Sequence, residues 1–243
     1  MRDDSPNQQQ GKKKRRPDIR DKKRGTRRER MHDLNLSPQQ RQLLEGLVVR
    51  KKSREVEEGR LRDASKSLQE SLFPEQRLFF DSVRKKKLAR CSRRAGKTHL
   101  SAVILLCAAI EYPGSLVPYI TLSMKNARRI LWTTLHELDL KFGINLEFRA
   151  NDLTATLTNG SQIILAGATD YEEIQKLRGP KYGAVILDEV QSMKASVCRH
   201  LVVDILEPAT LDLDGSICAF FTPSASAAGY AYDIDHVDDA WER

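Results

Sequence analysis

The chain has 243 residues, 40% apolar and 30% charged, with a formal net charge of +8. Such a chain can bury one sizeable α/β core plus a smaller appendage. Its longest wholly apolar run, Ala102 to Ile110, is nine residues long, which excludes a membrane-spanning helix, and its charged N-terminus lacks the apolar region of a secretory signal.

The charge is unevenly placed. Residues 1–30 hold 13 Lys and Arg against 5 Asp and Glu, and removing these from the totals of 41 and 33 leaves 28 of each for the rest. The basic excess therefore belongs to the N-terminal tail. Cys91, Cys107, Cys198 and Cys218 show no C-x-x-C spacing, which favours a reducing compartment over disulfides or zinc. A soluble intracellular protein is expected.

In chain order, residues 1–36 carry too little apolar surface to offset their ordering entropy and are expected to form a disordered basic tail. Two readings of it stand side by side: a solubilising segment, or an arm drawn to phosphates by charge. Ser37-Pro38-Gln39-Gln40 offers an N-cap, a proline at the first helical position and a capping-box glutamine. A helical lead-in is therefore expected over 37–72, with Leu43, Leu44, Leu47 and Val48 on one face and Gly59 as a point of interruption.

Residues 73–243 read as an α/β domain. Leu88-Ala89 is a short strand, Thr98 to Ile110 a helix apolar enough to be buried, and Val117 to Leu122 a strand. Asn126 to Lys141 has helical periodicity. Three short strands follow over 144–149, 153–158 and 161–166, the last two joined by the hairpin signal Asn159-Gly160. Tyr171 to Leu177 is a short helix, Ala184 to Leu187 a buried strand, Ala195 to Leu206 a helix and Ser216 to Phe221 a strand. Alternation of this kind predicts a mostly parallel sheet flanked by helices.

The chemistry-bearing segment is Cys91-Ser92-Arg93-Arg94-Ala95-Gly96-Lys97-Thr98. It fits the phosphate-loop pattern G-x-x-x-x-G-K-[ST] except that Cys91 holds the first glycine position. Between a strand and a helix, such a loop turns backbone N–H groups and the helix dipole toward a polyphosphate. Gly96 permits close approach, Lys97 supplies a charge for the β and γ phosphates, and Thr98 offers a hydroxyl to Mg²⁺. Asp188 and Glu189 end a buried strand 91 positions after Lys97, where a nucleoside triphosphatase needs one carboxylate for Mg²⁺ and one to polarise the attacking water. Arg93 or Arg94 could stabilise transition-state charge in cis. The Gln76 amide, fifteen residues before Cys91, can both donate to and accept from an adenine edge.

These residues resemble the ATPase domain of the large terminase subunit, the DNA-packaging motor of tailed phages, over about residues 70–230. The resemblance rests on Pro74-x-Gln76, Ser92 to Thr98, Asn159-Gly160-Ser161 leading into Ile163 to Gly167, Leu177-Arg178-Gly179-Pro180-Lys181-Tyr182, and Ile186 to Glu189. It implies an ASCE or RecA-like P-loop fold, ATP with Mg²⁺, double-stranded DNA as partner, and a homo-oligomeric ring. A portal protein and small terminase subunit would be its associates, in the host cytoplasm and transiently at the procapsid portal vertex. It further implies that Arg93 acts in cis, that Arg178 is a candidate finger for a neighbouring subunit's site, and that Thr222 belongs to the coupling motif sensing the γ-phosphate. Phe221 departs from the small residue usual in the family. The family's nuclease half has no counterpart among the 20 residues after Pro223, where Asp233, Asp235, Asp238 and Asp239 read as an acidic loop. Two competitors remain: a helicase-like DNA-dependent ATPase, and a catalytically inert fragment that binds nucleic acid.

Overall fold

The structure, a computed structural model, describes residues 37–223 and 228–242. The expected disordered tail, residues 1–36, lies outside the described residues. Helix α1 (Pro38–Glu70) is unbroken through Gly59, contrary to the expected interruption. Nothing lies within 4 Å of that glycine's missing Cβ, and one glycine costs a long helix only about 1 kcal/mol. The described residues fall into two units that divide between Lys51 and Lys52. In the first, Leu43 and Leu47 of α1 are exposed. In the second, Leu61, Ala64 and Leu68, spaced at helical period, are buried in the main core.

The larger unit is a seven-stranded sheet between helices. Its strands are β1 (Lys86–Arg90), β2 (Leu116–Thr121), β3 (Glu147–Arg149), β4 (Thr154–Thr156), β5 (Gln162–Gly167), β6 (Ala184–Leu187) and β7 (Ser216–Phe221). They lie in the order β1-β7-β6-β2-β5-β4-β3. The five from β1 to β5 pair in parallel, and β4 and β3 extend the sheet antiparallel. The mostly parallel α/β fold expected from the sequence is what forms. Parallel neighbours need covered faces, and β6 is accordingly buried at all its residues.

Helix α2 (Pro74–Asp81) precedes β1, and helix α3 (Lys97–Glu111) leaves the loop after it. Helix α3 is buried from Leu100 to Ala109, as its unbroken apolar run requires. After β2, α4 (Met124–Ala127) passes through a π-helical turn at Arg128–Trp132 into α5 (Thr133–Phe142). The β4–β5 hairpin turns on Gly160 at φ 86°, with Asn159 Oδ1 accepting from Ser161 N at 3.0 Å. Helix α6 (Tyr171–Gln175) follows β5. Helix α7 (Ala195–His200) widens into a π-helical stretch, Leu201–Leu206, before α8 (Glu207–Leu211). Pro208 is the second residue of α8; its missing N–H cannot complete the α ladder.

One expectation fails in part. The acidic segment near the C-terminus is a loop only in part: Tyr230–His236, with Asp233 and Asp235, is helix α9, with Tyr230, Ala231, Ile234 and Asp235 buried, and Asp238 and Asp239 lie in the turn that follows. Asp233 pairs with Arg199 at 2.7 Å and Asp235 with Arg90 at 3.1 Å. These carboxylates are committed to holding the helix down. The apolar residues 230, 231 and 234 share a face, a helical spacing hidden among the aspartates.

Candidate functional site

The C-terminal ends of parallel strands are where an α/β sheet leaves room for a ligand. Three such ends converge here. β1 runs into the segment 91–96, β6 ends at Asp188-Glu189, and β7, lying between them, ends at Thr222. Because β7 intervenes, the loop and the acidic pair flank its tip rather than touching directly.

The loop opens with Cys91 N donating to Phe221 O at 3.1 Å, which ties its start to β7. Arg94 and Gly96 both take left-handed backbone, φ 65° and 75°. Gly96 is needed twice over. A Cβ there would lie 2.6 Å from Gln76 Nε2 and 3.2 Å from the Phe73 ring, and a side chain would strain the positive φ. Gly96 is also the N-cap residue of α3, so the free N–H groups of that helix's first turn belong to this loop. Lys97 spans the cleft, its ammonium donating to Thr222 Oγ1 at 3.0 Å and to Ser92 O at 3.2 Å. Ser92, Arg93 and Arg94 are exposed, Cys91, Ala95 and Thr98 half-buried. Among the described residues neither Arg93 nor Arg94 has an ion-pair partner.

Gln76 is held in place by hydrogen bonds within the protein. It is 4% exposed, its Nε2 donates to Gly96 O at 3.0 Å, and its Oε1 accepts from Phe73 N at 3.4 Å. One end of the amide braces the loop and the other caps α2, which leaves a second N–H and a second lone pair on it. Pro74 at the first helical position with Gln76 two residues on is itself a helix-start signal. The residue lines a cleft of about 1140 Å³ shared with Phe73, Phe79, Arg90, Cys91 and Lys97.

Asp188 is 2% exposed. Its Oδ2 accepts from the Tyr119 hydroxyl and its Oδ1 from Glu189 N at 2.9 Å. Burial pushes its carboxyl above the usual range, and the Glu189 charge pushes the same way, against the lowering pull of Tyr119 and Lys97. The Tyr119 phenol is raised in turn, by burial first and by Asp188 second. Glu189 is half-buried with φ 57°, and its Oε2 accepts from Gln191 Nε2. Gln191 Oε1 accepts from Thr222 N at 3.3 Å. Lys97, Thr222, Gln191 and Glu189 are thus consecutive links in one hydrogen-bonded chain.

The structure therefore brings together Lys97, Thr222, Asp188 and Glu189, with Thr98 next to Lys97 in the first turn of α3. It does not bring Arg178 to them. That side chain is exposed beyond α6, its Nε donating to Gln175 Oε1 at 3.0 Å, before Gly179 at φ 110°. Phe221, the departure noted in the sequence, is 6% exposed and belongs to the core. Tyr119 and Gln191 escaped sequence reasoning. Gln191 lies two residues beyond the acidic pair and carries a local signal. Tyr119 reaches Asp188 only because β2 lies beside β6, which no local pattern specifies.

Among the described residues, no group of three or more His, Cys, Asp or Glu could hold a metal unaided. The donor set, one buried carboxylate and the Thr98 hydroxyl, suits Mg²⁺, which is commonly held by one or two protein oxygens together with substrate phosphates. A raised carboxyl at Asp188, short of a cation, fits such an ion.

No protein-family model matches the chain. No curated protein matches it either. Solved structures do. The ATPase domain of the Thermus phage P74-26 large terminase superposes with TM-score 0.54 and 20% identity, over 67% of this chain and 68% of that one. The large terminase of a thermophilic bacteriophage, in complex with ATP-gamma-S, gives 0.55 and 17%, over 69% and 42%. The HK97 bacteriophage large terminase gives 0.54 and 16%, over 70% and 38%. The chain shares the fold of large-terminase ATPase domains and matches 42% and 38% of the length of the two whole terminases.

Proposed function

We propose that this chain is the ATP-hydrolysing motor domain of a viral DNA-packaging terminase, translocating double-stranded DNA into a procapsid. The observation that carries the reading is the continuous link from Lys97 through Thr222 and Gln191 to Glu189. It joins a phosphate loop to an acidic strand end across a fold shared with terminase ATPase domains.

ATP lies against the loop, its β and γ phosphates met by the Lys97 ammonium and by amides at the start of α3. Thr98 and Asp188 would hold Mg²⁺, which would supply neutralisation of the charge on the transferred group. Glu189 takes a proton from a water whose oxygen bonds in line to the γ-phosphorus as that phosphorus parts from the β–γ bridging oxygen, giving ADP and inorganic phosphate. Arg93, free in the loop, stabilises the charge that spreads over the phosphoryl oxygens. Arg178, exposed and away from its own site, is suited to a neighbouring subunit's site in a ring, and Thr222 senses the γ-phosphate. Portal protein and small terminase subunit are the expected associates, at the portal vertex in the host cytoplasm.

Phosphate release with and without double-stranded DNA tests this reading, with E189Q beside the natural chain. Turnover stimulated by DNA, lowered about 10²–10⁴-fold in E189Q with ATP binding kept, is the expected result. Equal turnover in E189Q removes the catalytic role. Separation of forked strands would favour a helicase, and absence of turnover an inert fragment.

A further inference from the structure

Gln191 has no role in the mechanism above, yet it is bonded to both sides of the site. It occupies the short turn Val190–Ser192, closed by Ser192 N to Glu189 O at 2.8 Å and Met193 N to Val190 O at 3.1 Å. Val190 and Met193 anchor that turn in the core at 1% and 6% exposure. Gln191 is left half-buried between them, with its amide directed at two functional groups. Nε2 donates to the Glu189 carboxylate, and Oε1 accepts from Thr222 N.

We propose that Gln191 is a positioning residue that ties the direction of the Glu189 carboxylate to the state of Lys97 and Thr222, resting on the ATP-hydrolysis reading of the same site. In this structure Lys97 spends its ammonium on Thr222 Oγ1 and Ser92 O. A polyphosphate in the loop competes for that ammonium and frees the Thr222 hydroxyl. The residue whose side chain is released is the one whose N–H holds Gln191. A shift at Thr222 therefore moves the acceptor end of the amide, and the donor end moves Glu189.

Glutamine suits this post because its side chain donates at one end and accepts at the other. Glutamate at 191 would set a second carboxylate against Glu189, and leucine would make neither bond. Glu189 itself depends on such a hold. Its backbone is at φ 57°, a conformation side chains rarely adopt without support, and its carboxylate has no other bond than that to Gln191 among the described residues.

The test is steady-state ATP hydrolysis and nucleotide binding by the whole chain and by Q191L, T222V and the double variant. Q191L should keep KM for MgATP within about twofold while kcat falls at least about tenfold, since a misdirected base forfeits part of the roughly 10²–10⁴-fold that proton transfer contributes. T222V should do likewise, and the double variant should be no worse than the poorer single, because the two act through one path. Q191E, which keeps the volume and the turn, should also lose kcat with KM held, guarding against a folding defect in Q191L. Unaltered kcat in Q191L and Q191E, or losses that multiply in the double variant, overturns the linkage while leaving an active parent chain and the ATPase reading intact. A parent chain without turnover overturns both.

Discussion

Two carboxylates, one on a helix and one at a strand end, live under opposite electrostatic conditions. Glu57, on α1, accepts from Arg60 Nε at 3.0 Å and from Thr158 Oγ1 at 2.6 Å. Those hydrogen bonds, from Arg60 first and Thr158 second, hold its carboxyl down at about 2. Arg60 also donates to Ile144 O at 2.9 Å and to Gly143 O. One ion pair thus joins α1 to the end of α5 and to the β4–β5 hairpin. Asp188, by contrast, is pushed up by burial beside Glu189. A charge that serves structure is answered by a protein cation. Asp188 has no protein cation in an ion pair among the described residues, and its ionisation costs the fold accordingly.

The largest test of this contrast is D188N. Removing the carboxylate should reduce turnover about 10²- to 10³-fold, the range for deleting one preorganised electrostatic group, yet raise the melting temperature at pH 7. The sign follows from a folded pKa above the unfolded 3.8. The penalty is absent below the unfolded value, grows as pH rises through the folded one, and is complete above it. Calorimetry should find a higher melting temperature for the variant at neutral pH, the difference shrinking on acidification. A variant less stable than the parent would contradict it.

At the Glu57 end the same logic runs in reverse. G59A lies mid-helix with nothing within 4 Å of its Cβ, so it should stabilise by about 0.5–1 kcal/mol without altering ATP turnover, as denaturant titration can show. A smaller effect belongs to E57Q, about 0.2–1 kcal/mol for a partly exposed pair. Its carboxyl is depressed, so the stabilisation is present above the unfolded 4.5 and lost as pH falls toward 2. Parent and variant should converge in melting temperature over that window. Parallel curves would show that the ion pair is idle.

Much of this was legible in the sequence because the decisive signals are local. The loop motif, the Asn159-Gly160 turn and the apolar run of α3 each specify their own conformation within a few residues. The Asp188-Glu189 pair announced itself because a carboxylate directly after Ala184 to Leu187 can only sit at a strand end. What stayed hidden depends on strand order. Tyr119 meets Asp188, and Thr222 comes between Lys97 and Gln191, because β2 and β7 flank β6. Gln76 braces Gly96 from 20 residues away in the chain, a contact no local pattern specifies. Helix α9 was masked by aspartates whose partners, Arg90 and Arg199, lie far off in the chain.

The central claim is that Gly96 and Lys97 of the loop receive a triphosphate. Titration of a non-hydrolysable ATP analogue with Mg²⁺ into the natural chain and into K97A, followed by calorimetry, examines it most directly. Saturable one-site binding by the natural chain that falls at least about tenfold in K97A, one lost charge-assisted contact being about 1.5–3 kcal/mol, is what the account predicts. Equal affinity in the two proteins, or none in either, would contradict it.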